Sequence, residues 1–268
     1  MVSGSDDETI NIWDVENGTL LRTLTGHNQC VLSVAVTPEG KRVISGSKDK
    51  TIKIWDLESG TLLRTLTGHD DEVSSVAVTS DGKRVISGSW DKTIKIWDLE
   101  RGTQLFTLTN DSIINSIAVT PNGKRLVSVF MSGNFKLWDL ERKVPLRTIS
   151  TGTSINCLVI MPDGKRVISG YDDKTIKIWD LESGTQLFNY LTNESSIDSI
   201  AVTPNGKRVI SGCGDRTIKI WDLETGTLLR TFSGNDTDIL SLAVAPDGMW
   251  MASGSRGSMI KVWDLESN

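Results

Sequence analysis

Val78-Thr79-Ser80-Asp81-Gly82-Lys83-Arg84-Val85-Ile86-Ser87-Gly88-Ser89-Trp90-Asp91-Lys92-Thr93-Ile94-Lys95-Ile96-Trp97-Asp98-Leu99-Glu100 is the clearest copy of a unit that this 268-residue chain repeats from end to end. Its fixed point is the closing Trp-Asp pair. That pair stands at Trp13-Asp14, Trp55-Asp56, Trp97-Asp98, Trp138-Asp139, Trp179-Asp180, Trp221-Asp222 and Trp263-Asp264, at spacings of 42, 42, 41, 41, 42 and 42 residues. Within each unit, short β-branched runs alternate with Gly-rich punctuation, and no helical period appears. In the second copy, Val31 to Val36 reads as a strand. Thr37-Pro38-Glu39-Gly40 reads as a turn, because Pro presets φ and Gly takes a conformation that a side chain opposes. Lys41 to Ser47 reads as the second strand, Lys48-Asp49-Lys50 as a tight turn, and Thr51 to Trp55 as the third strand. Leu57-Glu58-Ser59-Gly60 turns the chain again, and Thr61 to Leu66 reads as the fourth strand.

A Trp-Asp pair closing units of about 40–45 residues resembles the WD-repeat β-propeller family. The near-identity of the second and third copies is similar to the highly self-similar bacterial members of that family. The resemblance covers essentially the whole chain. It implies an all-β, seven-bladed β-propeller of antiparallel four-stranded blades. It also implies one domain over residues 1–268, since each blade leans on its neighbours. The chain opens inside a second strand, at Val2-Ser3-Gly4-Ser5, and stops just after a third, at Trp263-Asp264. The first and last blades are therefore expected to be incomplete, with three strands each. The first would lack its innermost strand and the last its outermost. Such unpaired edges invite partners or self-association.

Composition narrows the function classes. A net charge of −5 disfavours wholesale nucleic-acid binding through a basic face. No apolar run approaches the length of a membrane span. The opening Met1-Val2-Ser3-Gly4-Ser5-Asp6-Asp7 lacks the basic and apolar regions of a signal peptide, so a cytoplasmic location is the expectation. Cys30, Cys157 and Cys213 fall at different phases of the repeat and show no metal-type spacing. No metal and no cofactor are expected.

The family's structural tetrad joins a loop His, a second-strand Ser, a turn Asp and the third-strand Trp. It carries over in full to His27, Ser45, Asp49 and Trp55, and to His69, Ser87, Asp91 and Trp97. Elsewhere the His position holds Asn110, Thr151, Asn193 and Asn235, and the Asp position fails at Ser132 and Gly257. A Ser-His-Asp set suggests hydrolysis, but these sets recur at repeat phase with no activated nucleophile or oxyanion device beside them. No P-loop, metal string or nucleophile elbow appears, so the chain is expected not to be an enzyme.

A binding site is expected where the repeats differ and point outward. The Lys-Arg pairs that open second strands and the Asp-Leu-Glu strings that follow third strands share one face, where their opposite signs screen each other. The other face carries the second-to-third-strand turns and the entries of the first strands. In similar propellers this face rings the channel mouth and takes peptides or proteins. The position before the turn Asp holds Asp6, Lys48, Trp90, Met131, Asp172, Gly214 and Arg256. Nothing in a core requires those differences. Trp90, Ile113, Phe130 and Met131 form the expected apolar anchor, with Tyr171 extending it, since rims of Trp, Phe and Met make binding hot spots. Asp172, Asp198, Asp238 and Arg256 are expected to select charge. The chain thus reads as a non-enzymatic protein- or peptide-binding scaffold. The alternative is an assembly module that oligomerises, or completes a larger propeller, through its terminal blade edges.

Overall fold

The computed structural model describes residues 1–257 and 259–266, and over 188–192 it describes the backbone. Every regular element is a strand. The first sheet holds β1 (Val2–Gly4), β2 (Ile10–Asp14) and β3 (Thr19–Leu24). The second holds β4 (Val31–Val36), β5 (Arg42–Ser47), β6 (Ile52–Asp56) and β7 (Leu62–Leu66). The third holds β8 (Val73–Val78), β9 (Arg84–Ser89), β10 (Thr93–Asp98) and β11 (Gln104–Thr109). The fourth holds β12 (Ile114–Val119), β13 (Arg125–Phe130), β14 (Asn134–Asp139) and β15 (Val144–Ser150). The fifth holds β16 (Ile155–Ile160), β17 (Arg166–Tyr171), β18 (Thr175–Asp180) and β19 (Gln186–Thr192). The sixth holds β20 (Ile197–Val202), β21 (Arg208–Cys213), β22 (Ile218–Asp222) and β23 (Leu228–Phe232). The seventh holds β24 (Ile239–Val244), β25 (Trp250–Ser255) and β26 (Ile260–Asp264).

This is a seven-bladed β-propeller of antiparallel four-stranded blades, with three strands in its first and last blades. In the second blade the strands begin at Arg42, Ile52 and Leu62, one residue later than the sequence reading placed them. Just before β6, Asp49 Oδ1 accepts both the Thr51 N–H, at 3.0 Å, and the Thr51 hydroxyl, at 2.6 Å. That carboxylate also lets Lys50 sit at φ 68°, a left-handed conformation that costs a β-carbon residue energy.

The chain divides into two compact units, Met1–Thr148 and Ile149–Asn268. Inside each, neighbouring blades meet through apolar faces. In the first unit, Ile44, Ile52, Ile54 and Leu66 of the second blade pack with Val73, Val76, Val85, Trp97 and Leu99 of the third. In the second unit, Ile210, Ile218 and Ile220 pack with Ile239, Met251 and Leu265. A strand glycine sets how closely two blades approach. A β-carbon on Gly88 would lie 2.5 Å from Ile114 Cγ2, and one on Gly212 would lie 2.6 Å from Ile239 Cγ2. In the last blade the corresponding Gly254 would meet nothing closer than 3.9 Å.

Gly88→Ala should therefore lower the urea midpoint, at a cost of about 1–3 kcal/mol from overpacking. Gly254→Ala should leave it unchanged or raised. Equal effects from the two substitutions would show that the glycine contact does not set blade spacing.

Candidate functional site

All seven repeat tryptophans donate their indole N–H to the serine of the same blade. The donor to acceptor distance is 2.9 Å for Trp13–Ser3, Trp55–Ser45, Trp97–Ser87, Trp138–Ser128 and Trp263–Ser253, 3.0 Å for Trp179–Ser169 and 3.1 Å for Trp221–Ser211. In the second blade the chain of bonds continues. Ser45 Oγ lies 2.7 Å from His27 Nε2, and His27 Nδ1 lies 2.7 Å from Asp49 Oδ2. The third blade repeats this geometry, with both His69 distances at 2.7 Å. The consistent polarity runs indole N–H to Ser oxygen, Ser O–H to Nε2, and Nδ1–H to carboxylate. That polarity puts a proton on Nδ1 of both His27 and His69. Burial pushes the His27 imidazole below its ordinary value, against the pull of Asp49. Burial alone would raise the Asp49 carboxyl, but bonds from Thr51, His27 and the Asn28 amide outweigh it and hold it low. Ser45 and Ser87 are 0 % exposed, so no substrate reaches either hydroxyl.

In three blades that lack the histidine, the strand-end serine is replaced by a buried residue. In the fifth blade Tyr171 is 0 % exposed. Its Oη accepts from Ser169 Oγ at 2.9 Å and from Trp179 Nε1 at 3.2 Å, while Lys177 Nζ lies 4.2 Å from the ring centroid. In the fourth blade Phe130 takes the same position, with Lys136 Nζ 5.4 Å from its ring and 5.0 Å from that of Trp138. In the sixth, the buried Cys213 thiol reaches Asn193 Oδ1 at 3.7 Å, and burial pushes that thiol up to about 11. Phe130, at 5 % exposed, and Tyr171 are thus core residues, which corrects their expected place in the binding rim. The reason is strand parity. Residues two apart on a strand share a face, so 130 and 171 point inward with the tetrad serines at 128 and 169.

Of the other anchor residues, Trp90 follows β9 of the third blade, and Ile113 and Met131 flank β12 and β13 of the fourth. Trp90 N–H donates to the Glu72 carbonyl at 2.9 Å, and Met131 N–H donates to the Ile113 carbonyl at 3.4 Å. Ser74 Oγ donates to the Ile114 carbonyl at 2.6 Å and ties the two blades at that point. Met131 is 57 % exposed, and Trp90 and Ile113 are half-buried. One Glu72 carboxylate oxygen is buried there with no hydrogen-bond partner.

The second unit carries the charged set. Arg256 N–H donates to the Asp238 carbonyl at 3.1 Å, and Arg256 Nε lies 3.8 Å from Asp238 Oδ2. Asn156 donates to Asp172 at 2.7 Å, and Ser196 Oγ to Asp198 at 3.2 Å. Burial raises the Asp198 carboxyl, and the charges of Asp238 and Asp172 add to the rise, while Ser196 and Arg256 oppose it. A β-carbon at Gly214 would lie 2.9 Å from both Ser195 Oγ and Ser196 Oγ and 3.4 Å from Asp198 Oδ2. At the opposite ends of the strands, opposite signs pair, as in Arg42–Glu100 at 3.0 Å and Lys124–Glu141 at 3.4 Å. A cleft of about 1130 Å³ in the second unit mixes Lys207, Arg208 and Arg230 with Asp222, Asp247 and Glu266.

One exposed feature was missed by sequence reasoning. In the fourth strands of most blades a β-bulge opposite the repeat Trp throws out a leucine; examples are Leu21, Leu63 and Leu229. The signal was the Leu-Leu pair that recurs two to three residues after the third turn.

The profile described as "WD domain, G-beta repeat" matches residues 18–56, 60–98, 102–139, 143–180, 184–222 and 226–264. Single-repeat similarity extends to the F-box-like/WD repeat-containing protein TBL1X of Mus musculus, 49 % identical over 41 residues, 15 % of this chain and 8 % of that protein. The nuclear distribution protein PAC1 of Mycosarcoma maydis is 46 % identical over 44 residues, 16 % of this chain and 10 % of that protein. GID complex subunit 7 of Schizosaccharomyces pombe is 53 % identical over 38 residues, 14 % of this chain and 8 % of that protein. The chain thus spans 8–10 % of the length of these three curated relatives.

Two measurements test the buried network. With its pKa depressed on folding, His27 stays neutral in the folded state while the unfolded chain takes up a proton below the ordinary value of 6.5. Stability contributed above that pH should be lost as pH falls, and His27→Asn should flatten this slope in urea titrations between pH 7 and 5. Tyr171→Phe should cost about 1–2 kcal/mol by removing the acceptor of two buried donors; an unchanged urea midpoint would show that Tyr171 does not stand in for the histidine.

Proposed function

The chain belongs to the WD-repeat (G-beta repeat) family, and on that premise we propose that it is a non-enzymatic scaffold that binds a protein or peptide. The observation that supports this reading is Met131, 57 % exposed and bonded through its backbone to Ile113, on the blade that Ser74 ties to the blade of Trp90. Exposed apolar side chains clustered on a folded protein mark interaction sites. Asp172, Asp198, Asp238 and Arg256 form a separate charged patch in the second unit, suited to selecting charge on a bound segment. TBL1X is an F-box-like protein and the fission-yeast relative a complex subunit by name, which supports work within assemblies. The net charge of −5 weighs against a nucleic-acid partner. Among the described residues no helix is long and apolar enough to cross a membrane. A cytoplasmic setting and a soluble partner belong to this proposal. The second reading is assembly through the terminal blades, which hold three strands each among the described residues.

Affinity capture from a lysate of the source organism tests the first reading. The bait would be the wild-type chain beside a Trp90→Ala, Met131→Ala variant. Partners held by the wild type and lost by the variant are the expected result. Partners held equally by both would place the site elsewhere.

A further inference from the structure

We infer that Asn17–Gly18, in the turn between β2 and β3, is a site of spontaneous deamidation, and that its conversion loosens the hairpin formed by those two strands. The chain holds three Asn-Gly pairs, at Asn17–Gly18, Asn122–Gly123 and Asn205–Gly206. A following glycine leaves the backbone nitrogen uncrowded, because it has no β-carbon, so all three share the reactive sequence. Their glycines also share a conformation, with φ of 65°, 68° and 68°. Hydrogen bonding separates them.

Asn122 and Asn205 sit in turns that join first and second strands, and both are clamped. Asn122 Oδ1 accepts from the Thr120 hydroxyl at 2.7 Å and from the Lys124 N–H at 3.0 Å. Asn205 Oδ1 accepts from the Thr203 hydroxyl at 2.8 Å and from the Lys207 N–H at 3.0 Å. The neighbouring nitrogens are engaged as well, since the Gly123 and Gly206 N–H groups donate to the Thr120 and Thr203 carbonyls at 2.8 Å. An amide held in this way reacts only after the turn opens. Asp81 takes the same clamp in the third blade, accepting from the Thr79 hydroxyl at 2.6 Å and from the Lys83 N–H at 3.0 Å. These turns therefore hold Asn and Asp alike.

The turn at Asn17 is held less firmly than its sisters. In the second, third, fifth and sixth blades the turn glycine donates to the carbonyl of the repeat Asp at 2.8–2.9 Å, as Gly60 does to Asp56. The Gly18 N–H has no hydrogen-bond partner among the described residues. The residue before the glycine donates its own N–H to the repeat carboxylate at 2.7 Å in Ser59 and Ser183, but at 3.3 Å in Asn17. Asn17 and Gly18 are both exposed. The Gly18 nitrogen is thus free to attack Asn17 Cγ. A C–N bond closes a five-membered imide, the Cγ–Nδ2 bond breaks, and Nδ2 leaves as ammonia with the proton of the Gly18 N–H. Water then opens the imide at one carbonyl or the other. The products are aspartate, and isoaspartate with the main chain running through the side-chain carbon. Nothing is oxidised or reduced.

Either product removes the Asn17 Nδ2 donor that binds Asp14 Oδ2 at 2.8 Å, the largest influence holding the Asp14 carboxyl below its ordinary value. It also sets a second carboxylate beside the first. At this position five other turns carry Ser59, Arg101, Arg142, Ser183 and Thr225, none of them an acid. Isoaspartate further adds a main-chain carbon to a hairpin registered Asp14 to Thr19.

The test ages the intact chain in mildly alkaline buffer and follows the three sites by peptide mapping, reading the mass gained when NH is replaced by O. In the folded chain Asn17 should convert about tenfold or more faster than Asn122 or Asn205, which wait on local opening. In concentrated urea the three rates should converge. Thr120→Val should raise conversion at Asn122 and leave Asn17 unchanged. Asn17→Asp should speed amide exchange across β2 and β3 relative to Asn17→Ser, which installs the residue of the sister turn at Ser59. Equal rates at the three sites in the folded chain, or slower conversion at Asn17 than at Asn122 or Asn205, would overturn the assignment. Exchange as slow in the Asn17→Asp variant as in the Asn17→Ser variant would overturn the loosening.

Discussion

Every blade buries an indole N–H, and a buried donor without an acceptor costs about 1–3 kcal/mol. The structure meets this constraint in the same way seven times, with a serine on the neighbouring second strand. That choice creates the next requirement, because the serine hydroxyl is itself buried and must donate. In the second and third blades the demand passes to a histidine and ends on a carboxylate that also organises the adjoining turn. The tetrad is one continuous line of donors and acceptors. Its charged end lies at the strand terminus and its neutral members lie inside, the arrangement that places least charge in the low-dielectric interior.

The blades without histidine show that the requirement, and not the residue, is what persists. Tyr171 supplies an oxygen to the Ser169–Trp179 pair, whereas Phe130 supplies none and instead stacks beneath Lys136. The cost is visible beside Phe130, where both amide atoms of Asn110 are buried without a hydrogen-bond partner. Asn193 is better served, since its oxygen accepts from Cys213, but its amide nitrogen is likewise orphaned. Repeat proteins tolerate such local losses because stability is roughly a sum of blade and nearest-neighbour terms.

The blade count, the strand order and the three-stranded first and last blades were all legible, because the Trp-Asp period and the turn glycines are strictly local signals. Side-chain direction at the strand ends was less so. Residues 130, 171 and 213 vary among the repeats, and for Phe130 and Tyr171 that variation suggested surface. Yet the sequence held the counter-evidence. Where the loop position is His27 or His69, the strand-end position is Ser47 or Ser89. Where it is Asn110, Thr151 or Asn193, the strand end is Phe130, Tyr171 or Cys213, while in the last blade Asn235 keeps Ser255. Paired changes of that kind record a shared buried space, and counting parity from the tetrad serine places all three side chains inside. Trp90 and Met131 lie one residue further on, past the end of the strand, and the same count leaves them outside.

Variation among near-identical repeats therefore has two physical origins, and burial separates them. Inside, a change is compensated within the same blade, as the loop and strand-end pairs show. Outside, Trp90, Met131, Asp172 and Arg256 differ without any matching change in the core, so packing does not account for their identities.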